Sequence, residues 1–227
     1  MFRVKICGIT TIDDARHAAS AGADAIGLNF YTRSPRYVDV ERAREIADVV
    51  GTDVARVGVF VNATVEQIYD IADRVGLNWI QLHGDEPPEF LGQFAERRMI
   101  RALRIGRSKA SSENPLEQVV NYLHDCKVGG RLPNAVMVDA RVENQYGGTG
   151  ETIDWDALAG EREWLFDRPL VLAGGLTADN VSAAIRRVRP QAVDTASGVE
   201  SAPGRKDPLL VERFVRAARS ALTIIDV

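Results

Sequence analysis

The sequence of 227 residues has little cysteine and little histidine, with two cysteines, Cys7 and Cys126, and three histidines. Two cysteines are too few for a disulfide scaffold. No pair or trio of His, Cys, Asp or Glu has the spacing of metal ligands either, so the sequence predicts no metal site.

Basic excess and long apolar runs are also missing. The 28 Lys and Arg residues against 32 Asp and Glu residues give a net charge of −4, which argues against nucleic acid or anionic lipid as a partner. No apolar run approaches the roughly 18 residues of a membrane-spanning helix, and residues 1–5 lead into a strand-like segment rather than a signal peptide. With 45% hydrophobic residues, disorder is excluded, and we expect a soluble, cytoplasmic globular protein.

Short β-rich runs alternate with stretches of helical periodicity along the whole chain. The predicted strands are 3–7, 25–30, 55–61, 79–83, 99–105, 135–139, 170–173 and 192–195. The predicted helices are 13–21, 40–50, 65–75, 88–97, 116–126, 154–159, 178–188 and 208–222. Eight such strand–helix units of the α/β class, with right-handed crossovers, predict one (β/α)8 TIM barrel domain over residues 1–227.

A doubly wound open sheet is the alternative architecture. Such a sheet usually opens with a glycine-rich fingerprint after its first strand, and the segment 7–10, Cys-Gly-Ile-Thr, is not one. In a barrel the active site lies at the C-terminal ends of the strands, which selects the polar residues to weigh.

Cys7 ends the first predicted strand. If the apolar alternate residues Val4 and Ile6 face the helices, Cys7 faces the barrel interior with Lys5 below it. A nearby ammonium would then lower the thiol pKa from about 8.5. Taken alone, a single cysteine is more often a small buried hydrophobic residue, and Cys126 has only that interpretation.

Asp139 ends the apolar run of the sixth predicted strand. A carboxylate there serves either as an acceptor for loop amides or as a general acid or base, and the sequence alone does not separate the two. Desolvation at a barrel mouth would raise its pKa, so that it could carry a proton at neutral pH.

Two glycine-bearing loops follow the seventh and eighth predicted strands, with Gly174 and Gly175 in one and Ser197 and Gly198 in the other. Glycine allows backbone amides to approach a ligand closely, and this pair of loops binds phosphate in many barrels. A third glycine-rich segment, 147–150, follows the sixth strand as a lid or a further source of amides.

Other polar residues at the strand ends fit either a ligand contact or an ordinary structural role. Arg36, after the second strand, could hold a carboxylate through two hydrogen bonds or be an ordinary solvated arginine. Gln81 and His83 could contact a ligand or simply hydrogen-bond within the protein, and Asn29 has no assignable role.

Taken in order, these segments resemble the phosphoribosylanthranilate isomerase family, a barrel family of tryptophan biosynthesis. The similar segments cover nearly the whole chain: 5–10, 27–30 with 34–36, 57–62, 81–84, 139 with 147–150 and 154–155, 172–176, 194 with 197–200, and 203–204 with 206–207.

The resemblance implies an Amadori rearrangement of N-(5′-phosphoribosyl)anthranilate, with Asp139 as general acid and Cys7 as general base. It implies that Arg36 pairs with the anthranilate carboxylate and that Asp194 contacts the ribose. It assigns the phosphate to the two glycine loops, through Gly174, Gly175, Ser197 and Gly198. Proton transfers alone need no cofactor, and we expect a small phosphosugar as ligand and a monomer or homodimer.

Two departures from the family pattern occur after the eighth strand: Ala196 stands where many members have serine, and Thr195, in place of valine, looks neutral. Two other functions stay open. One is the Amadori isomerase of histidine biosynthesis, which uses two aspartates and is disfavoured by Cys7. The other is a phosphate-binding barrel without turnover.

Overall fold

Eight parallel strands form a closed barrel in which each strand pairs with the next and the eighth pairs with the first. The computed structural model describes residues 1–94, 97–105, 116–140, 155–160 and 162–225. The strands are β1 Val4–Cys7, β2 Ala25–Asn29, β3 Ala55–Phe60, β4 Trp79–Leu82, β5 Met99–Ile105, β6 Ala135–Ala140, β7 Leu170–Leu172 and β8 Ala192–Thr195. The predicted (β/α)8 barrel is confirmed.

Helices follow the strands and cover the barrel. They are α1 Ile12–Ser20, α2 Val40–Val49, α3 Val65–Val75, α4 Glu117–Val128, α5 Trp155–Leu158, α6 Val181–Val188 and α7 Pro208–Ile225. Thr64 and Gln67 form a reciprocal capping box at the start of α3, which satisfies two free amides. Among the helices of the described residues, none has the length and apolarity that a membrane crossing needs.

The helix predicted over 88–97 is wrong in type, because a 3-10 helix of six residues, Pro88–Gln93, follows β4 instead. Gly92 lies within it, and glycine costs about 1 kcal/mol relative to alanine in a helix interior. The segment still buries Leu91 and Phe94 against the barrel, so its packing role is that of a helix.

A short hairpin that the sequence did not predict follows the eighth strand. After a 3-10 helix at Ser197–Val199, the chain forms two antiparallel strands, β9 Glu200–Ala202 and β10 Arg205–Lys206. The Thr10 hydroxyl donates to the Gly204 carbonyl oxygen at 2.6 Å. This bond ties the hairpin to the loop that follows β1.

Alternate residues of each strand pack into two different cores. The inner core fills the barrel and includes Val57, Trp79 and Met137, whereas the outer core, which includes Ile6 and Ile80, lies beneath the helices. The side chains of residues i and i+2 on a strand face the same side of the sheet. The inward positions at the C-terminal ends therefore carry the polar residues Cys7, His83, Asp139 and Asp194.

Candidate active site

An unusual number of charged or polar side chains is buried in and around the C-terminal half of the barrel. Such groups are seldom buried unless they are paired or hydrogen-bonded. They are Lys5, Asp14, Arg36, Gln81, His83, Glu86, Arg101, Asp139, Asp194, Thr195 and Lys206.

Lys5 and Asp194 form an ion pair inside the barrel, between neighbouring positions of β1 and β8. The Lys5 ammonium, which is fully buried, donates to Oδ1 of Asp194 at 2.8 Å. Burial alone would lower the pKa of Lys5, but the Asp194 carboxylate and the Cys7 thiol outweigh it and the pKa is raised. Lys5 is therefore an ammonium ion at neutral pH, next to Cys7 on β1.

The pKa of Cys7 is raised, and the lowered value expected from the sequence is wrong. Burial is the largest cause, because a thiolate loses solvation there, and the Asp194 carboxylate adds to it. The Lys5 ammonium lowers the pKa of Cys7, as predicted, but not enough to compensate.

Asp139 faces a histidine across the barrel mouth. Nε2 of His83, on the loop after β4, lies 3.2 Å from Oδ2 of Asp139, and both residues are buried. On its other side the ring contacts Gln81, whose Nε2 lies 2.9 Å from Nδ1 of His83. Sequence reasoning noticed Gln81 and His83 but did not connect either of them with Asp139.

Arg36 already has a carboxylate partner within the protein. Its Nε donates to Oε1 of Glu200 at 2.8 Å and its Nη2 donates to Oε2 at 2.7 Å, while Lys206 donates to Oε1 at 2.7 Å. Burial would raise the pKa of Glu200, but the two cations overcome it and the pKa is lowered. Sequence reasoning gave Glu200 and Lys206 no separate role, although both lie in segments that carry the family resemblance.

Asn29, to which the sequence alone assigns no role, holds the loop after β2 in place through its side chain. Its Nδ2 donates to the Ser34 hydroxyl at 3.1 Å, and its Oδ1 accepts from the Tyr31 amide at 2.9 Å. The Ser34 hydroxyl also accepts from the Arg36 amide at 3.1 Å. Asn29 therefore helps to place Arg36 beside the barrel mouth.

The two glycine loops lie against each other. Gly174 and Gly175 have φ angles of +86° and +62°, and neither amide donates to a backbone acceptor within the described residues. A Cβ atom on Gly198 would lie 1.9 Å from the Leu176 carbonyl oxygen, so only glycine allows this close approach. The arrangement leaves backbone donors available for an anion.

Thr195, which the sequence predicts to be a neutral replacement for valine, makes a side-chain hydrogen bond. Its buried hydroxyl donates to the Leu176 carbonyl oxygen at 2.7 Å and so joins the end of β8 to the loop after β7. Valine has no donor for this bond.

The glycine-rich segment 147–150 and Asp154 lie outside the described residues. Within the ranges that the structure describes, no group of three or more His, Cys, Asp or Glu could hold a metal ion.

Comparison with known proteins gives a consistent result along the whole barrel. The family model described as N-(5′-phosphoribosyl)anthranilate (PRA) isomerase matches residues 4–217. The N-(5′-phosphoribosyl)anthranilate isomerase of Stutzerimonas stutzeri is 46% identical over 220 residues, covering 97% of this chain and 98% of that protein.

Solved structures agree. The crystal structure of phosphoribosyl anthranilate isomerase from Thermotoga maritima has a TM-score of 0.82 and 42% identity, covering 97% of this chain and 100% of that one. A structure of a phosphoribosyl anthranilate isomerase in complex with reduced 1-(o-carboxyphenylamino)-1-deoxyribulose 5-phosphate has a TM-score of 0.79 and 40% identity, with coverage of 97% and 100%. The chain belongs to the N-(5′-phosphoribosyl)anthranilate isomerase family.

Proposed function

We propose that this chain, as one barrel domain over residues 1–227, catalyses the Amadori rearrangement of N-(5′-phosphoribosyl)anthranilate to 1-(2-carboxyphenylamino)-1-deoxyribulose 5-phosphate. This is a step of tryptophan biosynthesis, and we place it in the cytoplasm. The observation that carries the proposal is family membership over nearly the whole chain together with Cys7 at the end of β1 and Asp139 near the end of β6.

In the proposed reaction Asp139 is the general acid. It donates a proton to the ribose ring oxygen as the C1′–O bond breaks, and the nitrogen lone pair forms the C=N bond of an open-chain Schiff base. Cys7, as a thiolate, then removes the proton from C2′, and the electron pair moves to give an enolamine. Tautomerisation to the ketone completes the aldose-to-ketose change without a cofactor.

The raised pKa of Cys7 bears on its role as base. A thiolate whose conjugate acid has a high pKa is a stronger base toward a C–H bond, but a smaller fraction of the enzyme holds it at neutral pH. The Lys5 ammonium increases the fraction of enzyme that holds the thiolate, because it lowers the pKa of Cys7.

We assign substrate binding to three loops around the barrel mouth, after β2, β7 and β8, and to the end of β8 itself. Arg36 holds the anthranilate carboxylate and Asp194 contacts the ribose. The loops with Gly174, Gly175, Ser197 and Gly198 hold the phosphate. The phosphate assignment is supported by the positive φ angles of Gly174 and Gly175 and by their amides, which donate to no backbone acceptor in the part of the chain that the structure describes.

Loss of phosphoribosylanthranilate fluorescence with the purified protein tests the activity. Cys7→Ser and Asp139→Asn should each lower the rate by about 10²–10⁴-fold, the usual contribution of a general acid or base. Cys126→Ser is the matched control, because Cys126 is a buried packing residue on α4. Near wild-type turnover of either site variant with an intact circular dichroism spectrum would refute the assigned role of that residue.

A further inference from the structure

We infer that His83 is a positioning residue that donates a hydrogen bond from Nε2 to Oδ2 of Asp139, and that Gln81 holds His83 in the tautomer this requires. The inference depends on the proposed function in one respect, because it takes Asp139 to be the general acid of the rearrangement. Its starting point is a line of four side chains across β4 and β6, in which Met137, Gln81, His83 and Asp139 follow one another in contact.

The orientation of the Gln81 amide determines the tautomer. Its Nε2 lies 3.4 Å from Sδ of Met137 and 2.9 Å from Nδ1 of His83. A thioether sulfur is only an acceptor, so the amide nitrogen with its two hydrogens suits this position, whereas the reversed amide would set oxygen against sulfur. Gln81 therefore donates to Nδ1, and neutral His83 carries its proton on Nε2.

The protonated nitrogen then faces the carboxylate. Nε2 lies 3.2 Å from Oδ2 of Asp139 and has no aligned hydrogen-bond partner within the described residues. His83 and Asp139 are 7% and 5% exposed, so water offers Nε2 little compensation. Catalytic hydrogen bonds are often poorly aligned in unliganded enzymes and tighten when substrate binds.

This contact has two consequences for an acid at Asp139. Because Oδ2 accepts from His83, the proton that Asp139 delivers is carried on Oδ1. After delivery Asp139 is a carboxylate, and a hydrogen bond to a charged acceptor is about twice as strong as one between neutral groups. His83 thus stabilises the developing carboxylate more than the ground state, which affects kcat rather than KM.

The tautomer can be measured without any substrate. The chain has three histidines, and His17 and His124 are exposed, so 15N-histidine labelling gives three ring systems that a His83→Gln variant assigns. We expect His83 to be protonated on Nε2 only. In Gln81→Glu the new carboxylate should accept from Nδ1 and place a proton there. A wild-type His83 protonated on Nδ1, or a Gln81→Glu variant with unchanged His83 signals, would overturn the inference.

Kinetics test the consequence for Asp139. His83→Leu removes the donor and should lower kcat by about tenfold, a factor that corresponds to about 1.4 kcal/mol, with KM changed less than about twofold. His83→Gln, whose amide nitrogen can reach the position of Nε2, should recover most of kcat. An equal loss in both variants, or a rise in KM alone, would contradict the positioning role.

The two proposals fail in different ways. Absence of isomerase activity in the wild-type protein would refute the proposed function and leave the tautomer of His83 to be decided by the NMR measurement. An active enzyme whose His83→Leu variant keeps the wild-type kcat would refute only the role of His83.

Discussion

Arg36 and Glu200 form a two-bond ion pair that joins the loop after β2 to the segment after β8, with N–O distances of 2.8 and 2.7 Å. The pair fixes the plane of the guanidinium group through Nε and Nη2. It also leaves Nη1 with no hydrogen bond to the described residues. A substrate carboxylate would thus meet an arginine whose orientation is already set, which reduces the entropy lost on binding.

Arg36→Met should weaken binding of the reduced product analogue by about 10- to 150-fold, because charge-assisted hydrogen bonds are worth about 1.5–3 kcal/mol. Inorganic phosphate affinity should stay nearly the same. Lys206 still pairs with Glu200 in this variant, so the fold should survive. Calorimetric titration checks both ligands, with the exposed Arg33→Met of the same loop as control. An equal loss of phosphate affinity would disprove the division of labour between Arg36 and the glycine loops.

Gly198→Ala should weaken both phosphate and the analogue, by about 10- to 100-fold, since displacement of positioned groups by about 1 Å can cost that much. The added Cβ would lie 1.9 Å from the Leu176 backbone oxygen, which forces the two loops apart. Gly92→Ala is the matched control, because a Cβ atom there meets nothing within 4 Å. Unchanged phosphate affinity in Gly198→Ala would remove this loop from the phosphate site.

The pKa of Cys7 predicts how its alkylation depends on pH. Only the thiolate reacts with iodoacetamide, so the rate at Cys7 should rise with pH and reach half its maximum above the ordinary thiol value of about 8.5. Peptide mass spectrometry separates Cys7 from Cys126, whose pKa burial raises to about 11. The Cys126→Ser variant confirms the assignment. A plateau reached by pH 7.5 would mean that Lys5 dominates over burial.

Lys5→Met should destabilise the protein by about 3–5 kcal/mol, because it leaves the buried Asp194 carboxylate without its cation. The double variant Lys5→Met with Asp194→Asn should recover part of this loss, since no unpaired charge remains. Urea unfolding at pH 7 of the wild type, both single variants and the double variant measures the coupling. Strictly additive losses would show that the Lys5–Asp194 pair contributes nothing specific to stability.

The barrel was predictable because its strands are short apolar runs with clear ends. Residues 99–105 and 192–195 match β5 and β8 residue for residue, and the predicted strand 3–7 differs from β1 by one residue. The helix predicted over 178–188 begins only at Val181, because Asn180 instead uses its side chain to bridge the loop at Gly175 and Thr177. Local periodicity does not encode such a loop contact.

The sequence predicted which residues lie in the site better than it predicted which of them contact each other. Lys5 and Cys7 are two residues apart, so their proximity was visible in the sequence, but the burial that raises the pKa of Cys7 arises only when the barrel closes. Arg36 and Glu200 are 164 residues apart, and no periodic pattern relates them. An arginine on a surface loop and a glutamate in a hairpin each look like ordinary solvated charges until the fold places them together.

The bonds that complete the site cross almost the full length of the chain. Lys5 pairs with Asp194 across 189 residues, and Thr10 bonds to Gly204 across 194. During synthesis on the ribosome, Lys5 and Arg36 therefore emerge long before Asp194 and Glu200, the carboxylates that pair with them. Closing loops of this size costs entropy, and the pairing of β8 with β1 and the Thr10–Gly204 bond help to offset it. The segment from β8 through the hairpin thus completes the buried ion pairs at the barrel mouth.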